Sequence, residues 1–205
     1  GEKARALSGK PYEYLPSMRR TSATCPAINK QRKLLVCPGR VEKSKGVFDL
    51  LDAFQSIAAQ IPEWNLVYIG DGAARSRLFK RIKSLGLHDR VTCAGFLPRG
   101  EMFQLMGEAS AIIIPTHRDS LPLTFGEAMQ LKKPVLATDI GDLKRFMDKY
   151  DVGLTVPPQA PDQLAEGILA MAENRCRLNP RFEECVREID IDKASLQCPV
   201  DPGGD

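Results

Sequence analysis

Residues 111–138 read A-I-I-I-P-T-H-R-D-S-L-P-L-T-F-G-E-A-M-Q-L-K-K-P-V-L-A-T, and the order of residue types in this stretch decides the fold. Residues 111–114 are an unbroken apolar run, which predicts a short strand buried on both faces. Pro115 stops the run, and 116–120 is a polar loop. A helix follows: Asp119 or Ser120 is its expected N-cap, Pro122 falls in the first turn where a missing N–H costs nothing, and Leu121, Phe125, Ala128 and Met129 keep helical spacing. Lys132 and Lys133 suit the C-terminal end of that helix, and Pro134 ends it before the apolar strand at 135–137. Strand, loop, helix and strand in that order make a βα unit of a parallel sheet. Its loop lies at the carboxyl end of the strands, where the open amides of the helix start and their partial positive charge form a site for an anion, with phosphate the natural occupant.

Asp119 and Glu127 bracket the helix start, with seven residues between them. Carboxylates accept hydrogen bonds from sugar hydroxyls and repel phosphate, so an anion site with acids on its rim suits a ligand carrying both groups, as a nucleotide sugar does. The same residues allow a plainer reading, with Thr124 and Glu127 as a capping box and Asp119 as a loop cap. The rest of the chain decides between them.

A chain of 205 residues, 43% hydrophobic and 27% charged, is large enough for one substantial core, and a single domain is expected. A net charge of +3 and an aromatic content of 6% argue against a nucleic-acid partner. No apolar run has the length of a transmembrane segment, and residues 1–7 lack the apolar core of a signal sequence. The six cysteines have irregular spacing and no C-x-x-C pair, and Cys37 and Cys93 sit in or beside apolar strands as small hydrophobes do. That pattern predicts a reduced, cytoplasmic protein. The two histidines, His88 and His117, are far apart, so no zinc site, and no metal site of any kind, is expected. His88 reads as a helix-end residue, and His117, although in the ligand loop, as one without a catalytic task.

Before the opening stretch, residues 1–32 are polar, carry Pro11, Pro16 and Pro26, and show no period, as a linker or arm from an upstream domain would. A first strand at 34–37 and an amphipathic helix from Gly46, with Phe48, Leu50, Leu51, Phe54, Ile57 and Ala58 recurring at three and four, flank the loop G-R-V-E-K-S-K-G. Arg40 and Lys45 in that loop offer a diphosphate a planar donor fork and a point charge, although the sequence is not a Walker A motif. A strand at 66–69 ends in Gly70-Asp71-Gly72, read as a tight structural turn, and a helix spans 73–85. A third strand at 91–94 leads into Gly95-Phe96-Leu97-Pro98, a loop whose backbone groups suit the edge of a nucleobase, with Phe96 as core the alternative. After residue 138 come a short helix with Leu143, Phe146 and Met147, a strand at 152–156 and a helix at 161–172. Six alternations of strand and helix over 33–173 predict a doubly wound, mostly parallel α/β sheet covered on both faces, with ligands at the carboxyl ends of its strands. Residues 174–205 are charged, hold one short helix near 181–189, and read as a tail.

These motifs in register resemble the carboxyl-terminal, donor-binding domain of a retaining, GT-B-fold glycosyltransferase of the group 1 family. The likeness covers about residues 34–173 and rests on P-G-R-V-E-K-S-K-G, I-G-D-G-A-A-R-S-R-L, L-G-L-H-D-R-V, G-F-L-P, D-S-L-P-L-T-F-G-E-A-M and P-V-L-A-T-D-I-G. The resemblance implies that Arg40 and Lys45 hold the donor diphosphate and stabilise it as a leaving group. It further implies that Leu123 and Thr124 add backbone amides, that Glu127 binds the ribose hydroxyls, that Gly95, Phe96 and Leu97 flank the base, and that Asp119 touches the transferred sugar. The family's first acid is usually a glutamate followed by glycine, whereas Asp119-Ser120 is one methylene shorter and stiffer. After its A-T-D-I-G equivalent the family usually has glycine and glutamate, whereas this chain has Asp142 and Arg145. The implied substrate is a nucleoside-diphosphate sugar such as UDP-glucose or GDP-mannose. No separate cofactor is implied, and the acceptor is expected on an amino-terminal domain. A non-catalytic nucleotide-binding module and a nucleotide-sugar epimerase of the same architecture are the alternatives.

Overall fold

The apolar runs become six strands, β1 (Leu34–Pro38), β2 (Asn65–Ile69), β3 (Val91–Gly95), β4 (Ala111–Ile114), β5 (Val135–Thr138) and β6 (Gly153–Val156), in a computed structural model that describes residues 33–195. Between and after them lie α1 (Val47–Ile57), α2 (Arg75–Ser84), α3 (Arg99–Glu108), α4 (Leu123–Gln130), α5 (Leu143–Tyr150), α6 (Pro161–Ala172) and α7 (Phe182–Ser195). The arm expected at 1–32 and the end of the tail, 196–205, lie outside the described residues.

The strands form one sheet in the order β3-β2-β1-β4-β5-β6, and each neighbouring pair is parallel. This is the doubly wound α/β sheet that the alternation predicts. Every residue of β1, β4 and β5 is buried, because helices cover both faces of the central strands. On one face α1, α2 and α6 bury Leu50, Phe54, Leu78, Ile82 and Ile168 against Leu35, Tyr68 and Ile113. On the other, α3, α4, α5 and α7 bury Met106, Phe125, Met129, Phe146 and Ile189 against Val36, Ile112 and Val135. Chain order runs one way from β1 to β3 and the other way from β4 to β6. The helices that follow β1 and β4 therefore leave to opposite faces, and a crevice opens between them at the carboxyl end of the sheet.

The segment after 173 differs in extent from the short helix read in the sequence. The helix runs over Phe182–Ser195, and its Cys185 and Ile189 are fully buried with the core of α4 and α5. Its apolar stripe, Phe182, Cys185, Val186 and Ile189, is narrow and set among charged residues, so its period is faint in the sequence. Charge reinforces the docking: Lys149 and the Tyr150 hydroxyl both donate to the Glu188 carboxylate, and Arg145 Nη1 lies 3.4 Å from it. Arg145, which stands where the resemblance expects a glutamate, thus serves the α5–α7 contact.

Burial of the thiols has a consequence in alkali. Burial pushes the Cys37 and Cys185 thiols up to about 12 from an ordinary value of 9.0 and raises the Tyr68 phenol well above 10.0, while the Glu188 hydrogen bond raises Lys149. Each is a group that folding keeps protonated, so its contribution is complete below its ordinary value and is lost as pH rises toward the folded one. The urea midpoint is expected to hold up to pH 9.0 and to fall progressively above it. A midpoint that rises with pH over that window would contradict the burial of these groups.

Candidate functional site

At the end of β1 the chain must turn sharply, and backbone contacts fix where it goes. The Gly39 N–H donates to the Ile69 carbonyl at 2.9 Å, and the Val41 N–H to the Asp71 carbonyl at 3.0 Å. A Cβ on Gly70 would lie 2.0 Å from the Gly39 carbonyl oxygen, so the Gly70-Asp71-Gly72 turn is a structural clasp for the 39–41 loop. The loop ends in a 3-10 turn, Lys43–Lys45, closed by Gly46 at φ 66. Gly46 meets two demands at once: its conformation is left-handed, and a Cβ there would lie 1.9 Å from the Pro115 carbonyl oxygen. The loop after β1 is thereby pressed against the loop after β4, and the His117 N–H donates to the Ser44 carbonyl at 2.9 Å. The His117 ring pairs with Asp49 of α1 at 2.7 Å and does not line the crevice. It braces the two loops.

Helix α4 begins later than the sequence suggests. Its first residue is Leu123 and its N-cap is Pro122, with ψ 135 and no side-chain capping bond. Asp119 and Ser120 are not caps because Pro122 disfavours helical geometry in the residue before it. The Asp119 carboxylate instead accepts the Ser120 N–H at 3.0 Å. Thr124 and Glu127 both lie inside the helix and form no capping box, which removes the plainer reading of that pair. The Leu123 and Thr124 amides make no backbone hydrogen bond and face the start of the helix open.

These elements enclose a cavity of about 330 Å³ whose lining includes Arg40, Lys45, Asp119, Leu123 and Thr124, with Cys37 and Tyr68 among its other residues. Lys45 Nζ lies 2.8 Å from Asp119 Oδ2, and both side chains are about three-quarters buried. Arg40 is more open, 70% exposed, with Nη1 2.8 Å from Glu42 Oε1. The structure therefore brings together both cations, Asp119 and the start of α4. Glu127 stands one turn into α4, outside the cavity lining, with a side chain only 11% exposed. Gly95, Phe96 and Leu97 also lie outside the lining; Gly95 takes φ 74, and Phe96 is 80% exposed, so Phe96 is not core. Among the described residues no three His, Cys, Asp or Glu side chains gather as a metal site would require.

Three features escape sequence reasoning. Arg99 Nη2 sits 3.8 Å from Glu127 Oε1. Lys45 and Asp119, 74 positions apart, are ion-paired. Arg90 binds the end of α1 through backbone carbonyls. The first joins two helices and the second two loops whose contact depends on sheet order, and the third has backbone partners, which carry no residue signature.

The chain is a parallel, doubly wound α/β domain whose switch-point cavity is lined by Lys45, Asp119 and the first residues of α4. The chain belongs to the family of glycosyl transferases group 1, which residues 19–188 match. It is 25% identical over 170 residues to an alpha-D-kanosaminyltransferase of Streptomyces kanamyceticus, covering 83% of this chain and 44% of that protein. The chain thus spans less than half the length of that relative. Its fold is that of the C-terminal domain of a group 1 glycosyl transferase from Francisella tularensis, with TM-score 0.68 and 21% identity over 82% of this chain and 94% of that one. The pneumococcal O-GlcNAc transferase, whose structure holds UDP and GlcNAc, is similar in fold at TM-score 0.67 and 18% identity, over 81% of this chain and 35% of that one. Among the described residues no helix is long and apolar enough to cross a membrane.

Proposed function

We propose that this chain is the donor-binding domain of a glycosyltransferase that moves a hexose from a nucleoside-diphosphate sugar to an acceptor with retention of configuration. The observation that carries the reading is the pairing of Lys45 with Asp119 in a cavity that Leu123 and Thr124, the first residues of α4, also line, with amides that make no backbone hydrogen bond. One ligand group satisfies both walls: a diphosphate accepts from Lys45 and from the helix amides, while Asp119 turns to the hydroxyls of the attached sugar. Arg40, with its guanidinium largely in water, closes on the outer phosphate. Glu127 takes the ribose hydroxyls, and the backbone of Gly95, Phe96 and Leu97 flanks the base. The leaving group is a diphosphate whose charge Lys45, Arg40 and the helix start stabilise, so this side of the cleft supplies electrostatic catalysis. UDP in the pneumococcal relative of the same fold supports a nucleotide donor. The acceptor binds an amino-terminal domain joined through residues 1–32.

Because the cations act on phosphate, UDP, GDP or ADP is expected to raise the melting temperature more than the matching nucleoside does. Lys45→Ala is expected to weaken diphosphate binding by about 1.5–3 kcal/mol, the range for a hydrogen bond to a charged group. Equal stabilisation by nucleoside and nucleoside diphosphate would overturn the assignment of Lys45 and Arg40.

A further inference from the structure

Resting on that reading, we infer that Arg99 is a positioning residue that fixes the Glu127 carboxylate for recognition of the ribose hydroxyls. Arg99 is the first residue of α3 and follows the Gly95–Pro98 turn directly, with Pro98 at φ -52 and ψ 148 setting where the helix starts. Its guanidinium lies 4.9 Å from the centroid of the Phe103 ring, and Phe103 is itself buried, so the side chain is laid along α3 instead of trailing into solvent. From there Nη2 reaches to 3.8 Å from Glu127 Oε1 on α4. The Glu127 side chain is 11% exposed and that of Arg99 40%. At 3.8 Å the guanidinium acts on this largely buried carboxylate as a facing charge, and in a site so far from water that charge biases where the carboxylate points.

The contact joins two elements with separate tasks. α3 carries the loop proposed for the base, and α4 carries the carboxylate proposed for the ribose, so a fixed Arg99–Glu127 distance sets the spacing at which one nucleoside can engage both. Arg99 touches no reacting atom in this scheme; it acts through Glu127. Loss of Arg99 leaves the diphosphate wall of Lys45, Leu123 and Thr124 intact and removes one of the charges that orient the Glu127 carboxylate toward the ribose position. The signature is therefore a loss of discrimination at the sugar hydroxyls, and not a general loss of binding.

Isothermal titration of the whole chain with UDP, GDP and ADP, followed by the 2′-deoxy and 3′-deoxy forms of whichever binds, tests this. The unaltered chain is expected to prefer the ribonucleotide by about 10-fold or more, the factor one charge-assisted hydrogen bond supplies. Arg99→Ala is expected to reduce that preference at least about 5-fold, while the preference for nucleoside diphosphate over monophosphate stays as it was. Arg99→Lys, which keeps the charge and loses the planar fork, is expected to restore part of the discrimination. Retention of full ribose discrimination in Arg99→Ala overturns the role of Arg99, as does parallel loss of ribose and phosphate preference. Diphosphate binding without ribose discrimination in the unaltered chain removes the role of Glu127 and this inference with it. Absence of binding by any of the three diphosphates overturns the proposed function itself.

Discussion

Arg90→Ala is expected to lower the unfolding free energy of the chain by about 3–5 kcal/mol. Arg90 Nε donates to the Trp64 carbonyl at 3.0 Å, Nη1 to Ala58 at 2.7 Å, and Nη2 to Ile61 at 2.6 Å and again to Trp64 at 2.7 Å. Its guanidinium also lies 5.1 Å from the centroid of the buried Phe54 ring. The three carbonyls belong to the C-terminal end of α1 and the turn that follows it, which is where a helix leaves oxygens without partners and where a cation is favoured. Removing the side chain takes the partner from the Ala58 and Trp64 oxygens, at about 1–3 kcal/mol for each that water does not reach, while the Ile61 oxygen still accepts the Trp64 N–H at 3.1 Å. The Arg90 carbonyl meanwhile accepts the Leu66 N–H at 2.9 Å, so the residue ties the α1 exit to the first rung between β2 and β3. Arg90→Lys is expected to recover little, because one ammonium cannot span three carbonyls held apart by the backbone. Urea unfolding of the two variants measures this; a change below about 1 kcal/mol for Arg90→Ala would mean that solvent replaces the guanidinium freely.

What was legible in the sequence follows the periodicity of apolar residues. Strands at 34–38, 111–114 and 135–138 are buried on both faces, and continuous apolar runs announce this without any knowledge of partners. Chain alternation then dictates a parallel sheet with loops at one edge. Arg40, Lys45 and the start of α4 converge on one cavity because each closes a βα connection at the switch point. The exact start of α4 was not legible, since Asp119 and Ser120 are good caps in isolation and the conformational effect of Pro122 outweighs them. The helix near 181–189 was legible, but its extension to Ser195 and its docking were not, because its few apolar residues are set among charges and its burial comes from α4 and α5. Side-chain pairings such as Lys45 with Asp119, Arg99 with Glu127 and His117 with Asp49 depend on distances across 28 to 74 positions of chain, which residue types alone do not encode.

The isolated chain is expected to bind a nucleoside diphosphate weakly and to show no transfer to any acceptor, whereas a longer protein with a preceding α/β domain is expected to transfer. Glycosyl transfer requires the acceptor hydroxyl to be held against the anomeric carbon of the donor, and positioning of that kind is worth roughly 7–11 kcal/mol of the barrier. The groups proposed for the donor, Arg40, Lys45, Asp119, Leu123 and Thr124, all lie along one edge of one sheet. On the proposed reading the cations and helix amides of this chain supply charge stabilisation alone, and orientation and exclusion of water are expected from a second domain closing on the first. The measurement is release of nucleoside diphosphate from UDP- and GDP-sugars, with and without added acceptor, by the chain and by the two-domain protein. Glu127→Ala in the two-domain protein is the control for the nucleoside contact and is expected to lose most of the turnover. Acceptor-dependent turnover by the isolated chain would overturn the half-cleft reading, and full activity of the Glu127→Ala protein would overturn the role given to that carboxylate.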